Sequence, residues 1–138
     1  MKALVVDDSR AMRSIISRFL GELKVEVIEA ASGSEAMFKL GKMEPPDVVL
    51  LDWNMPEPNG YECLQAIREM SAYDGVRIMM VTTESEMSQV AIALEAGADE
   101  YLMKPFDRQT LLEKLPRVLN PWRIFIWIIL FTCNRTQN

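Results

Sequence analysis

Short apolar runs of strand length alternate along most of this chain with longer stretches of helical periodicity. That alternation limits the fold more than any other feature. The runs are Ala3–Val6, Val48–Leu51, Ile78–Val81 and Tyr101–Met103, most with turn residues nearby. A fifth segment, Val25–Glu29, alternates apolar and charged residues. It reads as a half-exposed edge strand, where charge discourages pairing between molecules. Between the runs lie apolar stripes at helical spacing: Met12, Ile15, Ile16, Phe19 and Leu20; Ala36, Met37 and Leu40; Cys63, Leu64, Ile67 and Met70; Met87, Val90, Ala91 and Leu94; Leu111, Leu112, Leu115, Val118 and Leu119. Candidate capping boxes, Ser32-x-x-Glu35, Asn59-x-x-Glu62 and Thr83-x-x-Glu86, mark three helix starts, and Gly41 and Gly97 stand where helices should stop. Strand then helix, five times over, predicts an α/β domain: a parallel sheet with helices on both faces. At 138 residues the chain fits one such domain.

In a parallel sheet the residue after each strand falls on one rim, and open α/β sheets bind ligands there. Ala3–Val6 is followed by Asp7 and Asp8, Val48–Leu51 by Asp52, Ile78–Val81 by Thr82 and Thr83, and Tyr101–Met103 by Lys104. Polar residues are common where strands meet water, so no single position is telling. The set is more demanding. Three carboxylates within about 5 Å repel by roughly 3 kcal/mol per pair at an effective dielectric near 20. A divalent, oxygen-preferring ion relieves this, and Mg²⁺ commonly binds one or two carboxylates while keeping several waters. Three carboxylates, one Mg²⁺ and one lysine sum to zero, leaving room for an anionic group. A carboxylate nucleophile beside a cation, an ammonium and a hydroxyl is a workable phosphoryl-transfer site.

Composition excludes several other chemistries. There is no histidine, and the two cysteines, Cys63 and Cys133, are far apart, so neither a zinc cluster nor a histidine-assisted nucleophile is available. Two distant cysteines also suit a reducing cytoplasm. Net charge is -5; residues 121–138 hold two arginines and no acid, so residues 1–120 carry 13 basic against 20 acidic groups, or -7. That argues against nucleic acid as a partner. The first apolar run is too short for a signal peptide.

The motifs VVDDS at 5–9, LDWNMP at 51–56, VTTE at 81–84 and YLMKPF at 101–106 stand in one order across residues 1–120. With them the sequence resembles the receiver domains of two-component response regulators, and DWNMP with VTTE and KPF looks most like stand-alone CheY-type chemotaxis regulators. The resemblance implies a flavodoxin-like (βα)5 doubly wound sheet with strand order 2-1-3-4-5. It implies that Asp52 is the phosphoacceptor. Asp8 would ligate Mg²⁺ directly, Asp7 mostly through water, and the Asn54 backbone carbonyl would complete the metal shell. Thr82 and Lys104 would each hold a phosphoryl oxygen. Tyr101 would be the switch aromatic, turning inward as Thr82 moves to the phosphate. The Lys104–Pro105 peptide would be cis. Asn54 and Glu84 would tune how fast water attacks the acyl phosphate, and both match the CheY type, which implies a short-lived phosphorylated state.

Residue chemistry alone leaves Thr82 and Thr83 equivalent; only the family register chooses Thr82. Asp47, Asp74 and Asp99 read as loop residues, and Met79, Met80 and Met103 as core. The implied partners are a histidine kinase as phosphodonor and a downstream protein on the face of the fourth helix, fifth strand and fifth helix. The expected role is a cytoplasmic signalling module that catalyses only its own phosphoryl transfer and dephosphorylation. One alternative is a Mg²⁺-dependent phosphatase with an aspartyl-phosphate intermediate, but it calls for a second acid and a cap. Another is a flavodoxin-like FMN binder, but the first loop, DDSRAM, is acidic and lacks a phosphate cradle.

Residues 121–138 depart from the family. They include IFIWIILF at 124–131, too short to span a bilayer, which takes about 20 residues, so no stable membrane insertion is expected. The segment reads as a cloning or frame artefact, an intermolecular packing element, or a membrane-surface or partner-docking tail.

Overall fold

A computed structural model describes residues 1–83 and 88–119. Glu84, Glu86 and Met87 lie outside the described residues, as does the segment 121–138, so the expectations placed on them are untested by it.

Among the described residues five strands and five helices alternate: β1 Lys2–Val6, α1 Arg10–Glu22, β2 Glu26–Ala30, α2 Gly33–Leu40, β3 Val48–Asp52, α3 Gly60–Arg68, β4 Arg77–Thr83, α4 Val90–Glu95, β5 Glu100–Lys104 and α5 Arg108–Val118. A 3-10 turn, Ser71–Tyr73, lies between α3 and β4. All strand pairs are parallel and the order is β2-β1-β3-β4-β5. This is the doubly wound sheet expected from the alternation. Central β3 is buried along its whole length, which is why VVLLD carries no alternation. Two apolar layers sandwich the sheet. Leu4, Val6, Leu51 and Met80 face one, with Leu64 and Ile67 of α3. Val5, Leu50, Val81 and Leu102 face the other, with Ile16 and Leu20 of α1 and Leu111 and Leu115 of α5.

Caps fix the helix starts near the rim. Asn59 and Glu62 form the full capping box at α3. The Ser32 hydroxyl accepts from the Glu35 N–H, while Glu35 reaches back to the Ala31 N–H. Ser9 caps α1 by accepting from the Met12 N–H. Gly97 ends α4 in the left-handed region, φ +113°. The corresponding turn after α1 falls on Lys24, φ +60°, which glycine would enter at less cost.

Four expectations need correction. Ile15 of the α1 stripe is exposed, whereas Ile16 and Leu20 carry the buried side of that helix. Met103 is exposed rather than core, because β5 is an edge strand and only Leu102 of that segment is fully covered. In α4 the buried positions are Val90 and Ala93, whereas Ala91, Ile92 and Leu94 face outward. The run Val90–Leu94 is apolar throughout, so its periodicity has no unique phase. Met70 is exposed just beyond α3.

Both sheet edges are blunted in the same way. On β2 the Lys39 ammonium of the following helix donates to the Glu29 carbonyl. On β5 the Lys114 ammonium of the following helix donates to the Tyr101 carbonyl, at 2.7 Å.

Candidate phosphoacceptor and metal site

The rim at the carboxyl ends of the strands gathers the predicted groups. β1 delivers Asp7 and Asp8, β3 ends on Asp52, β4 on Thr82 and Thr83, and β5 on Lys104. Asp7 and Asp52 are nearly inaccessible, at 1% and 3% exposure, while Asp8 is exposed. Carboxylate oxygens of all three lie within 4.8 Å of one another. The Lys104 ammonium bridges the buried pair, 3.0 Å from Asp7 Oδ2 and 3.1 Å from Asp52 Oδ1. The Lys104–Pro105 peptide is cis.

Each buried carboxylate has a distinct setting. The Asp7 Oδ1 accepts from the Ser9 N–H at 2.8 Å, so the turn into α1 holds it. Its own carbonyl accepts from the Arg13 guanidinium at 2.6 Å, and Arg13 also pairs with Glu29 at 3.3 Å, tying the ends of β1 and β2 together. The Asp52 carboxyl is pushed up to about 6, first by burial and next by the charge of Asp7, with Lys104 opposing both. Burial alone would lower the Lys104 pKa. Its hydrogen bonds to Asp7 and Asp52 and their charges outweigh that, and the ammonium is held more firmly protonated than usual. The site is therefore an acidic pocket with a fixed cation on one side and an exposed carboxylate, Asp8, on the other.

The hydroxyls are now distinguishable. In the β4–β5 register, Met80 pairs with Tyr101 and Thr82 with Met103, whereas Val81 pairs with Leu102 and Thr83 with Lys104. Alternation therefore puts Thr82 on the sheet face it shares with Tyr101, and Thr83 on the face it shares with Lys104. Thr82 is buried, and its hydroxyl donates to the Thr83 carbonyl at 3.3 Å. Asn54 is exposed just past β3. Trp53 stacks on Tyr61, with ring centroids 5.7 Å apart. Of the aspartates read as loop residues, Asp47 accepts from the Lys2 N–H, and Asp99 accepts from the Ile78 N–H and pairs with Arg68 and Arg77. Ser9, Arg13 and Gly60 support the site and were not singled out from the sequence. Ser9 has the one local signal among them, a hydroxyl residue directly before an apolar helical stripe.

Three hard carboxylate donors converging within one ion's reach suit Mg²⁺ or a similar cation better than a softer metal. A sheet rim that joins this donor set to a bridging lysine defines a class of signalling module, and the chain belongs to it: the response regulator receiver domain family, whose model matches residues 3–116. A chemotaxis protein CheY homolog of Campylobacter jejuni is 48% identical over 120 residues, 86% of this chain and 92% of that protein. Chemotaxis protein CheY1 of Helicobacter pylori is 46% identical over 120 residues, covering 86% of this chain and 97% of its own. The solved structure of the chemotaxis response regulator CheY4 of Vibrio cholerae aligns with a TM-score of 0.80 at 41% identity, covering 86% of this chain and 98% of that one. The domain is thus a receiver of the CheY-like chemotaxis kind, within two-component signalling. Among the described residues no helix is long and apolar enough to cross a membrane.

Proposed function

We propose that the protein takes a phosphoryl group from a histidine kinase onto Asp52 and that this switches its binding to a downstream protein in chemotaxis or motility signalling. The observation that supports it most directly is the convergence of Asp7, Asp8 and Asp52 within 4.8 Å, with Lys104 bonded to the two buried members. Asp7, Asp8, Asp52 and the Asn54 carbonyl would hold Mg²⁺, which when bound supplies charge neutralisation at the transferring group. A carboxylate oxygen of Asp52 forms the new P–O bond as the P–N bond to the donor imidazole breaks, and the imidazole leaves with the electron pair. Lys104 is placed to stay with the phosphoryl oxygens as the charge on Asp52 changes. Thr82 provides a hydroxyl from the face that carries Tyr101, so its movement would open space beside that ring. Asn54 and Glu84 flank the acceptor and would set how readily water attacks the acyl phosphate.

The output face would be α4, β5 and α5. Ile92, Leu94 and Met103 are exposed on the first two, which suits docking of an apolar peptide segment. The protein would work in the cytoplasm and catalyse no reaction beyond its own phosphorylation and dephosphorylation. Incubation with Mg²⁺ and acetyl phosphate, followed by intact mass measurement, tests the proposal. One added phosphoryl group in the parent protein and none in Asp52→Asn is expected. Sustained turnover of small phosphomonoesters would instead favour the phosphatase alternative.

A further inference from the structure

Lys114 makes three contacts with one short stretch of β5. Its ammonium lies 3.6 Å from the centroid of the Tyr101 ring. It donates to the Tyr101 carbonyl at 2.7 Å and stands 3.7 Å from Glu100 Oε1. The same Glu100 oxygen accepts the Tyr101 N–H at 2.9 Å. Ammonium, carboxylate, N–H and carbonyl thus close a ring around the Tyr101 backbone. Lys114 is only 17% exposed and Glu100 16%, unlike a lysine that waves in solvent.

Because β5 is an edge strand, these side chains hold the Tyr101 backbone where a neighbouring strand would otherwise do so. What stays free is rotation of the Tyr101 side chain. An anchored cation against an aromatic face favours the ring position that keeps the contact, and the attraction strengthens as water is excluded. Any other ring position forfeits it.

We propose that Lys114 is a positioning residue for Tyr101: it holds the aromatic ring in its resting place and so sets how readily the ring moves when Asp52 is phosphorylated. This rests on the proposed switch role of Tyr101 and extends it to α5. Ring movement would release the ammonium on that helix, making α5 part of the response rather than a passive wall of the output face. Removing the cation should shift the resting ring population about three- to tenfold.

Fluorotyrosine incorporated into the full chain gives the readout. The three tyrosines, Tyr61, Tyr73 and Tyr101, yield separate ¹⁹F signals, with Tyr101 assigned by Tyr101→Phe. Parent protein is compared with Lys114→Met, which keeps the stem, and Lys114→Arg, which keeps the cation. Without phosphoryl analogue, Lys114→Met should move the Tyr101 signal toward the position it takes in parent protein with Mg²⁺ and beryllofluoride. Lys114→Arg should stay near the parent position, and Tyr61 and Tyr73 should not move. Glu100→Gln, which loosens the ammonium's anchor, should move Tyr101 the same way by less, and it decides the matter if Lys114→Met does not fold. An unmoved Tyr101 signal in Lys114→Met, or an equal movement in Lys114→Arg, overturns the role of Lys114 while leaving the switch intact. A Tyr101 signal that ignores beryllofluoride in parent protein defeats the switch reading itself, and this proposal with it.

Discussion

Gly60 is pressed against the carbonyl oxygen of Asp52: a Cβ at Gly60 would stand 2.1 Å from that oxygen and 2.8 Å from the Trp53 Cα. The Gly60 N–H also donates to the Trp53 carbonyl at 3.0 Å. The first turn of α3 therefore rests directly on the peptide that carries Asp52. No side chain can be added without moving one or the other. Gly60→Ala should cost about 1–3 kcal/mol of stability, and the folded fraction should accept phosphoryl more slowly even at saturating Mg²⁺. Urea unfolding and phosphorylation rates check both. Gly21→Ala, where the added carbon meets nothing within 4 Å, serves as the control.

The raised Asp52 pKa makes metal-free stability depend on pH in a defined direction. The folded protein keeps a proton on Asp52 up to about pH 6, whereas the unfolded chain loses it near 4. This contribution is fully present below about pH 4 and is lost as pH rises through about 6. Asp52→Asn removes the buried charge, leaving Lys104 paired with Asp7. Without metal at pH 7.5 it should be about 1–2 kcal/mol more stable than the parent. The advantage should shrink toward pH 4. Thermal unfolding across that range in the presence of chelator tests it.

Cation binding should run the other way. A metal that uses the Asp52 carboxylate must displace its proton at low pH. Below about pH 6 the apparent Mg²⁺ affinity should therefore fall by about tenfold per pH unit, and above it the dependence should flatten. Titration by tryptophan fluorescence, following Trp53 beside Asp52, gives the profile. A flat profile from pH 4.5 to 8 would contradict the placement of the cation on Asp52.

Arg68 should matter for stability although it is remote from the rim. Its guanidinium donates to the carbonyls of Gly97, Tyr73 and Val76 and pairs with Asp99, joining the end of α3 to the turns before β4 and β5. Arg68→Met keeps much of the stem and removes every donor. About 2–4 kcal/mol should be lost, because the Gly97 and Val76 carbonyls and Asp99 lose this partner at partly buried positions, while the Tyr73 carbonyl keeps the Val76 N–H at 3.0 Å. Chemical denaturation measures it, and Arg77→Met, whose pair with Asp99 is more exposed, should cost under about 1 kcal/mol.

The sheet was legible because its signals are local. β1 and β3 are short apolar runs ending in carboxylates, and Asn59 with Glu62 announces α3. The rim residues followed, since a parallel sheet sends every strand end the same way. The orientation of α4 was not legible, as Val90 to Leu94 is apolar on all sides and only the sheet decides which side is covered. Met103 was misplaced because edge position is a property of the whole sheet. The support given to the site by Arg13 and Gly60 is likewise tertiary. An arginine in a helix and a glycine after a cap look ordinary until the chain brings them against Asp7 and Asp52.

The two lysines that cap the outermost strands have a consequence for how the molecule meets others. A foreign strand approaching either margin encounters an ammonium group already seated on a main-chain oxygen and must evict it before zipping up. The domain is thereby steered away from growing by sheet extension, and its dealings with other proteins are left to its helical flanks and loops.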